Sequence, residues 1–189
     1  MFSCIVDQTI TLRLLQPHHA EELFAVVDQN RQHLRPWMNW VDTTRSPDDI
    51  REFIQSSLHR FVDVHSIICG IWCGDRYIGT VGLHDIDKIN HHVEIGYWLS
   101  HSHQGKGIMT RSCERMIQYA FKELNLNRIV IKAAVENHRS RAIPERLGFT
   151  QEGTERQGMW VCDRYLDLVV YSLLAHEWSG RDIIEHRSY

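Results

Sequence analysis

Apolar and polar positions change period several times along the chain, and each change marks an element. Thr9 to Leu15 alternates, which predicts a first strand. Pro17 then opens a helical pattern with Ala20, Leu23, Phe24 and Val27 on one face. Arg35-Pro36-Trp37-Met38-Asn39-Trp40 breaks that period, and Ser46-Pro47-Asp48-Asp49 reads as the cap and first turn of a second helix. Its apolar face is Ile50, Phe53, Ile54, Leu58 and Phe61. Residues 65–99 divide into three β-rich runs at Gly74-Asp75-Arg76 and Asp87-Lys88-Ile89-Asn90, the pattern of an antiparallel meander.

The second half changes character. Met109, Cys113, Met116, Ile117, Ala120, Phe121 and Leu124 form a helical stripe, more suited to core packing than to a ligand. Leu126 to Val135 is a buried-type strand, expected to run parallel to the strand that ends near residue 99. A strand, helix, strand unit of this kind needs a crossover, which leaves the intervening turn at the carboxyl edge of the sheet. A short helix is predicted from Asn137 to Leu147 with Gly148 as its C-cap, and two last strands turn within Gly158 to Asp163. The expected fold class is α+β: a mixed, mostly antiparallel central sheet flanked by helices in three layers. Residues 1–178 are read as one domain and Ser179 to Tyr189 as a polar tail.

Composition narrows the class. The chain has 189 residues, 43% of them apolar, enough for one sizeable core. Its net charge of −3 supplies no global field toward nucleic acid or membrane. No basic leader and no membrane-length apolar run is visible, and five scattered cysteines suit reduced thiols, so a cytoplasmic protein is expected. Neither Cys69-x-x-x-Cys73 nor the histidines at 84, 91, 92, 101, 103 and 138 repeat a ligand spacing, and no metal is expected.

The candidate chemistry lies in Gly96-Tyr97-Trp98-Leu99-Ser100-His101-Ser102-His103-Gln104-Gly105-Lys106-Gly107-Ile108-Met109-Thr110, which runs from a strand through a glycine turn into the helical stripe. Backbone N–H groups at such a helix start, with the positive end of the helix dipole, converge on one anion. Lys106 stands between the glycines, so the turn is not a P-loop. Thr110 stands where a dinucleotide fingerprint needs a third glycine. An ordinary strand-to-helix turn remains the alternative at this point.

Two further segments carry a family resemblance. The GNAT acetyltransferases have a pyrophosphate loop of the form Arg/Gln-x-x-Gly-x-Gly/Ala. This sequence resembles it at Gln104 and Gly107 and departs at the sixth position, where Met109 replaces a small residue. Glu94 to Leu99 reads Glu-Ile-Gly-Tyr-Trp-Leu, and Asn137, Ser140, Arg146, Gly148 and Phe149 follow downstream. Both resemble the Rim-type branch, which acetylates N-terminal amines of ribosomal proteins. The resemblance covers residues 77–175.

It implies acetyl-CoA as donor, with the pyrophosphate on the amides of Gly105, Lys106, Gly107, Ile108, Met109 and Thr110 beside Gln104. Backbone groups near Trp98 and Leu99 would grip the pantetheine arm, and a free N–H there would stabilise an oxyanion. Asn137 matches a pantetheine contact, and Ser140 matches the position that protonates the leaving thiolate, although both also suit helix capping. Glu94, on the strand face of Gly96 and Trp98, is the candidate proton acceptor; a solvent-facing carboxylate is the alternative. Trp37 and Trp40 fall where acceptors enter in the family, or simply pack. A homodimer is expected.

The acceptor stays open between a protein N-terminus and a small amine such as an aminoglycoside or polyamine, with a non-catalytic acyl-CoA-binding domain as a third reading. Proton chemistry favours the first. An α-amine titrates near 8 and is about one-tenth neutral at pH 7, whereas a lysine near 10.4 is neutral about once in 2,500, a gap of roughly 3 kcal/mol.

Overall fold

The computed structural model describes residues 3–178; the tail expected at 179–189 lies outside the described residues. The chain forms β1 (Ser3–Ile5), β2 (Ile10–Leu14), α1 (Ala20–Gln29), α2 (Arg31–Leu34), α3 (Pro47–Val62), β3 (Ile67–Cys73), β4 (Arg76–Asp87) and β5 (His92–Leu99). Then follow α4 (Ile108–Lys122), β6 (Arg128–Ala134), α5 (His138–Arg146), β7 (Thr150–Val161) and β8 (Arg164–Leu174). The strands make one eight-stranded sheet in the order β1-β2-β3-β4-β5-β6-β8-β7. Every neighbouring pair is antiparallel except β5 and β6, which are parallel and joined through α4. This is the mixed sheet expected from the sequence.

Helices cover both faces. On one, Met116, Ile117 and Ala120 of α4 and Ile143 of α5 pack against Leu83, Val93, Ile95, Ile129 and Ile131. On the other, Leu23 and Val27 of α1 with Ile50 and Ile54 of α3 cover Ile68, Trp72 and Tyr77. Each large side chain removed from water here contributes on the order of 2 kcal/mol. α3 starts as its sequence dictates: Ser46 Oγ accepts the Asp49 N–H at 3.3 Å, and the Asp49 carboxylate accepts the Ser46 N–H at 2.8 Å.

Some boundaries differ from the sequence reading. β1 and α2 were not expected, because three and four residues are too short to display a period. The helical pattern at Pro17 begins as a 3-10 turn, Pro17–His19, before α1. The final hairpin turns at Cys162-Asp163, whose φ of 47° and 56° give the double left-handed turn that suits strand twist, while Gly158 lies inside β7.

Candidate active site

A fault in the middle of the sheet creates the site. β5 and β6 pair at only three positions, His92 with Arg128, Val93 with Ile129 and Glu94 with Val130. Beyond that rung β5 continues along β4 as far as Leu99 against Gly79, and β6 continues along β8 as far as Ala134 against Leu168. The two strands therefore separate, and the edges of residues 95–99 and 131–134 that would have faced each other carry no mutual ladder. On the far side of β5, Gly79 permits close approach of β4, since a Cβ there would lie 2.4 Å from the Trp98 carbonyl oxygen.

At the open end of the split the chain turns into α4. Gly105 and Gly107 have φ of +74° and +70°, so both turns use left-handed backbone, and Gly107 is the N-cap. Among the described residues no backbone N–H from Gly105 through Thr110 has a protein acceptor, and the first donation is from Arg111 to the Gly107 carbonyl at 3.1 Å. The side chains of Ile108 and Met109 are buried in the core, so these positions offer a ligand only their amides. This accommodates Met109 where the family has a small residue.

The turn is braced from four elements. Gln104 receives Arg139 Nη1 on its Oε1 at 3.0 Å, which fixes its amide orientation and points Nε2 at His33 Nε2, 2.6 Å away. Arg139 can only donate, so His33 must accept and be neutral; burial, His101 and Arg139 all lower its pKa. Gln104 Nε2 also approaches the Leu99 carbonyl at 3.4 Å, and the His101 N–H donates to Asn30 Oδ1 at 2.9 Å. Arg111 donates to the Lys106 carbonyl at 3.1 Å and pairs with Asp7 at 3.0 Å, while Arg146 donates to Thr110 Oγ1 at 3.1 Å. The Gln104 side chain is thus a brace, and its place in the site is through the backbone.

Behind the split, on the α4 and α5 face, Ser140 Oγ donates to Tyr97 Oη at 3.3 Å and Tyr97 Oη donates to the Ser140 carbonyl at 3.0 Å. Burial pushes the Tyr97 phenol far up, so it stays protonated. The capping alternative resolves in favour of Asn137, whose Oδ1 accepts the Ser140 N–H at 3.2 Å; the Ser140 hydroxyl is not used for it. Tyr97 was not singled out in the sequence, although strand alternation places it opposite Trp98.

Glu94 stands on the other face, at the last paired rung. Burial raises its pKa first, Lys132 opposes that, and Asp85 and Glu155 add to it. Lys132 Nζ is 3.8 Å from Glu94 Oε2 and 2.8 Å from Glu155 Oε1. Sequence reasoning missed Lys132; its signal was one cation inside the apolar run Ile129-Val130-Ile131-Lys132-Ala133-Ala134. His84 pairs with Glu94 across the strands, and its imidazole lies over the paired glycines 82 and 96, where added Cβ atoms would meet Nε2 at 3.1 and 3.0 Å. Trp98 on this face packs near Tyr77 and Trp40, with ring centroids 5.9 and 6.0 Å away. Trp37 instead joins the cluster of Ala134, Val161, Leu166 and Leu168. His91 and His92 lie at the far β4–β5 turn, apart from the glycine turn. A separate surface cavity of about 480 Å³ is lined by Gln32, Arg35, Pro36, Cys162 and Arg164 and shares none of these residues.

A split parallel pair ending in a turn of unpaired amides, with a carboxylate on one face and a half-buried serine–tyrosine pair on the other, is the framework of an acyl-CoA-dependent acyltransferase. Residues 9–150 match the acetyltransferase (GNAT) domain model, and the chain belongs to that family. It is 44% identical over 181 residues to the Bacillus subtilis (strain 168) protein named "Putative ribosomal N-acetyltransferase YdaF", covering 95% of this chain and 99% of that one. It is 29% identical to the ribosomal-protein-serine acetyltransferase of Escherichia coli (strain K12), with 88% and 93% covered. Among solved structures, the ribosomal L7/L12 α-N-protein acetyltransferase RimL in complex with coenzyme A superposes with a TM-score of 0.90 at 27% identity, covering 94% of this chain and all of that one (100%).

Proposed function

We propose that the protein transfers acetyl from acetyl-CoA to the N-terminal α-amine of a protein, with a ribosomal protein as the acceptor class. The observation that carries this reading is the split itself, with Glu94 at its closed end and the amides of residues 105–110 at its open end. Acetyl-CoA brings an acetyl group already activated as a thioester. The residues present fit it: the unpaired amides and the dipole of α4 suit a pyrophosphate, and the freed edges of β5 and β6 near Trp98 and Leu99 suit the amides of a pantetheine arm. Glu94 accepts the proton of the attacking amine, directly or through water, and the Ser140 hydroxyl turns from Tyr97 Oη to give its proton to the departing sulfur and regains one from solvent. No covalent acyl-enzyme is needed. The ribosomal acceptor is supported by the names of the two relatives above.

A small-amine acceptor has support in the 25% identity to the spermidine N(1)-acetyltransferase of Vibrio cholerae, over 93% of this chain. Against it stands Lys132, a cation beside the carboxylate that would meet the amine. The deciding experiment follows coenzyme A release with spermidine and with peptides carrying both a free N-terminus and an internal lysine, the products being mapped by mass spectrometry. Modification of the α-amine is expected; turnover on spermidine alone, or acetyl on lysine, would overturn the acceptor assignment, and no release with any amine would favour a binding domain. We further propose a homodimer, for which the exposed, edge-to-face Trp160 and Tyr165 offer an apolar surface, and light scattering should return twice the 22.3 kDa chain mass.

A further inference from the structure

We propose that Lys132 is a positioning residue: its ammonium, seated between Glu94 and Glu155 across the opening of the β5–β6 split, holds the Glu94 carboxylate for the acceptor amine and sets the pH range in which the enzyme works. The inference rests on the reading of Glu94 as proton acceptor.

The register places it there. Val130 faces Glu94 on the last parallel rung, and Lys132 lies two residues further along the same face of β6, where β5 has already turned away. The lysine stem reaches back over the gap, so the 3.8 Å contact to Glu94 spans the split itself. At its other side the ammonium is anchored at 2.8 Å on Glu155 of β7. Three strands thus contribute a minus, plus, minus row on the acceptor face. The remaining charged and titratable groups facing Glu94 are on β4: His84, whose burial disfavours its protonation, and Asp85, which pairs with Arg60 of α3 at 2.6 Å. Of all these, the Lys132 ammonium lowers the proton affinity of Glu94, opposing burial, Asp85 and Glu155. Without it the carboxylate would take up a proton at a higher pH and would be free to swing out of the split.

A merely structural role, tying β6 to β7, predicts something different, and signed pH profiles separate the two. The experiment measures kcat/KM against pH with one peptide, whose own amine titration is then common to every profile, for wild type, Lys132→Met, Lys132→Arg, Glu155→Gln and Glu94→Gln. Lys132→Met should move the acidic limb up by about half to one pH unit, a screened shift because both side chains are partly exposed, and also lower the high-pH plateau, because the unanchored carboxylate meets the amine less often. Lys132→Arg should restore the wild-type limb. Glu155→Gln should move the limb the other way, since it removes a negative charge that raises Glu94. Loss of the limb in Glu94→Gln supports the underlying reading; an unaltered limb there would remove Glu94 from the mechanism. If that limb is lost but Lys132→Met lowers only the plateau and leaves the limb in place, the role of Lys132 is overturned while that of Glu94 stands. Should Lys132→Met fail to fold, Lys132→Gln, neutral but polar, carries the same test: an upward limb supports the role and an unmoved limb overturns it.

Discussion

Replacing Gly107 by aspartate separates backbone strain from anion binding in one residue. At φ +70° any L-residue costs about 1 kcal/mol or more, and a Cβ there would lie 2.9 Å from Arg111 Nη1. That guanidinium end can move, but only by leaving the Lys106 carbonyl, which loses a hydrogen bond worth about 1 kcal/mol. Gly107→Ala should therefore destabilise by about 2 kcal/mol. Gly105→Ala, with φ +74° and no atom within 4 Å of its added Cβ, should cost only the strain. Aspartate adds a charge. One carboxylate roughly 5 Å from two phosphate charges costs about 2 kcal/mol even at water's dielectric constant, or roughly thirtyfold in Kd. Urea unfolding gives the stability of each variant, and calorimetry gives its affinity for coenzyme A. The comparison that matters is aspartate against alanine at 107, because both place a Cβ on the same left-handed backbone and aspartate tolerates it no worse. Equal coenzyme A affinity in these two variants would refute the placement of the pyrophosphate at this turn.

Ser140→Ala should lower kcat on the order of a hundredfold with coenzyme A affinity little changed, whereas Asn137→Ala, which removes the cap, should cost about 1 kcal/mol of stability and little in kcat; steady-state kinetics with denaturation curves checks both. Glu152, the extra residue of a bulge in β7, accepts from Nη1 and Nη2 of Arg128 at 2.6 Å each and from the Ser172 hydroxyl at 2.8 Å, which lowers its pKa to about 2. A depressed carboxylate stabilises the fold fully above its ordinary range and loses that contribution as pH falls toward 2. Because the pair is about a third exposed, Glu152→Gln should cost only about 1 kcal/mol at pH 7 and nothing below pH 2, as thermal unfolding against pH would show. Coenzyme A should slow amide exchange in residues 95–99 and 131–134 above all; protection spread evenly over the sheet would count against binding in the split.

The long elements were legible because their periods are long: sixteen residues of α3 or fifteen of α4 display an apolar stripe that three or four residues cannot. The glycine turn was legible for a backbone reason, since only glycine adopts φ near +70° twice within three residues at little cost. Lys132 and Tyr97 were not, because their roles arise from register. Nothing local says that Lys132 lies one step past the last parallel rung, or that Tyr97 meets a serine 43 residues away on α5. The rival jobs of Asn137 and Ser140 could not be divided in the sequence either, because a side chain's choice between the helix end and a distant phenol depends on where α5 docks.

The split also explains why this site is at the centre of the sheet and not at its rim. Two neighbouring parallel strands that part company leave backbone N–H and C=O groups without ladder partners, and buried groups of that kind cost about 1 to 3 kcal/mol each when unmet. The sheet tolerates the fault because each strand keeps its other neighbour: β5 stays paired to β4 through Leu99, and β6 to β8 through Ala134. An extended ligand with amides of its own can then complete two half-open edges at once, as an added strand completes a sheet edge. The same fault fixes the chemistry on both sides of that ligand. Strand alternation sends Glu94 to one face and Tyr97 to the other, so the proton acceptor proposed for the amine and the serine–tyrosine pair proposed for the sulfur are kept apart by the backbone of β5 itself. On the mechanism proposed above, that separation keeps the carboxylate from competing with Tyr97 for the Ser140 hydroxyl.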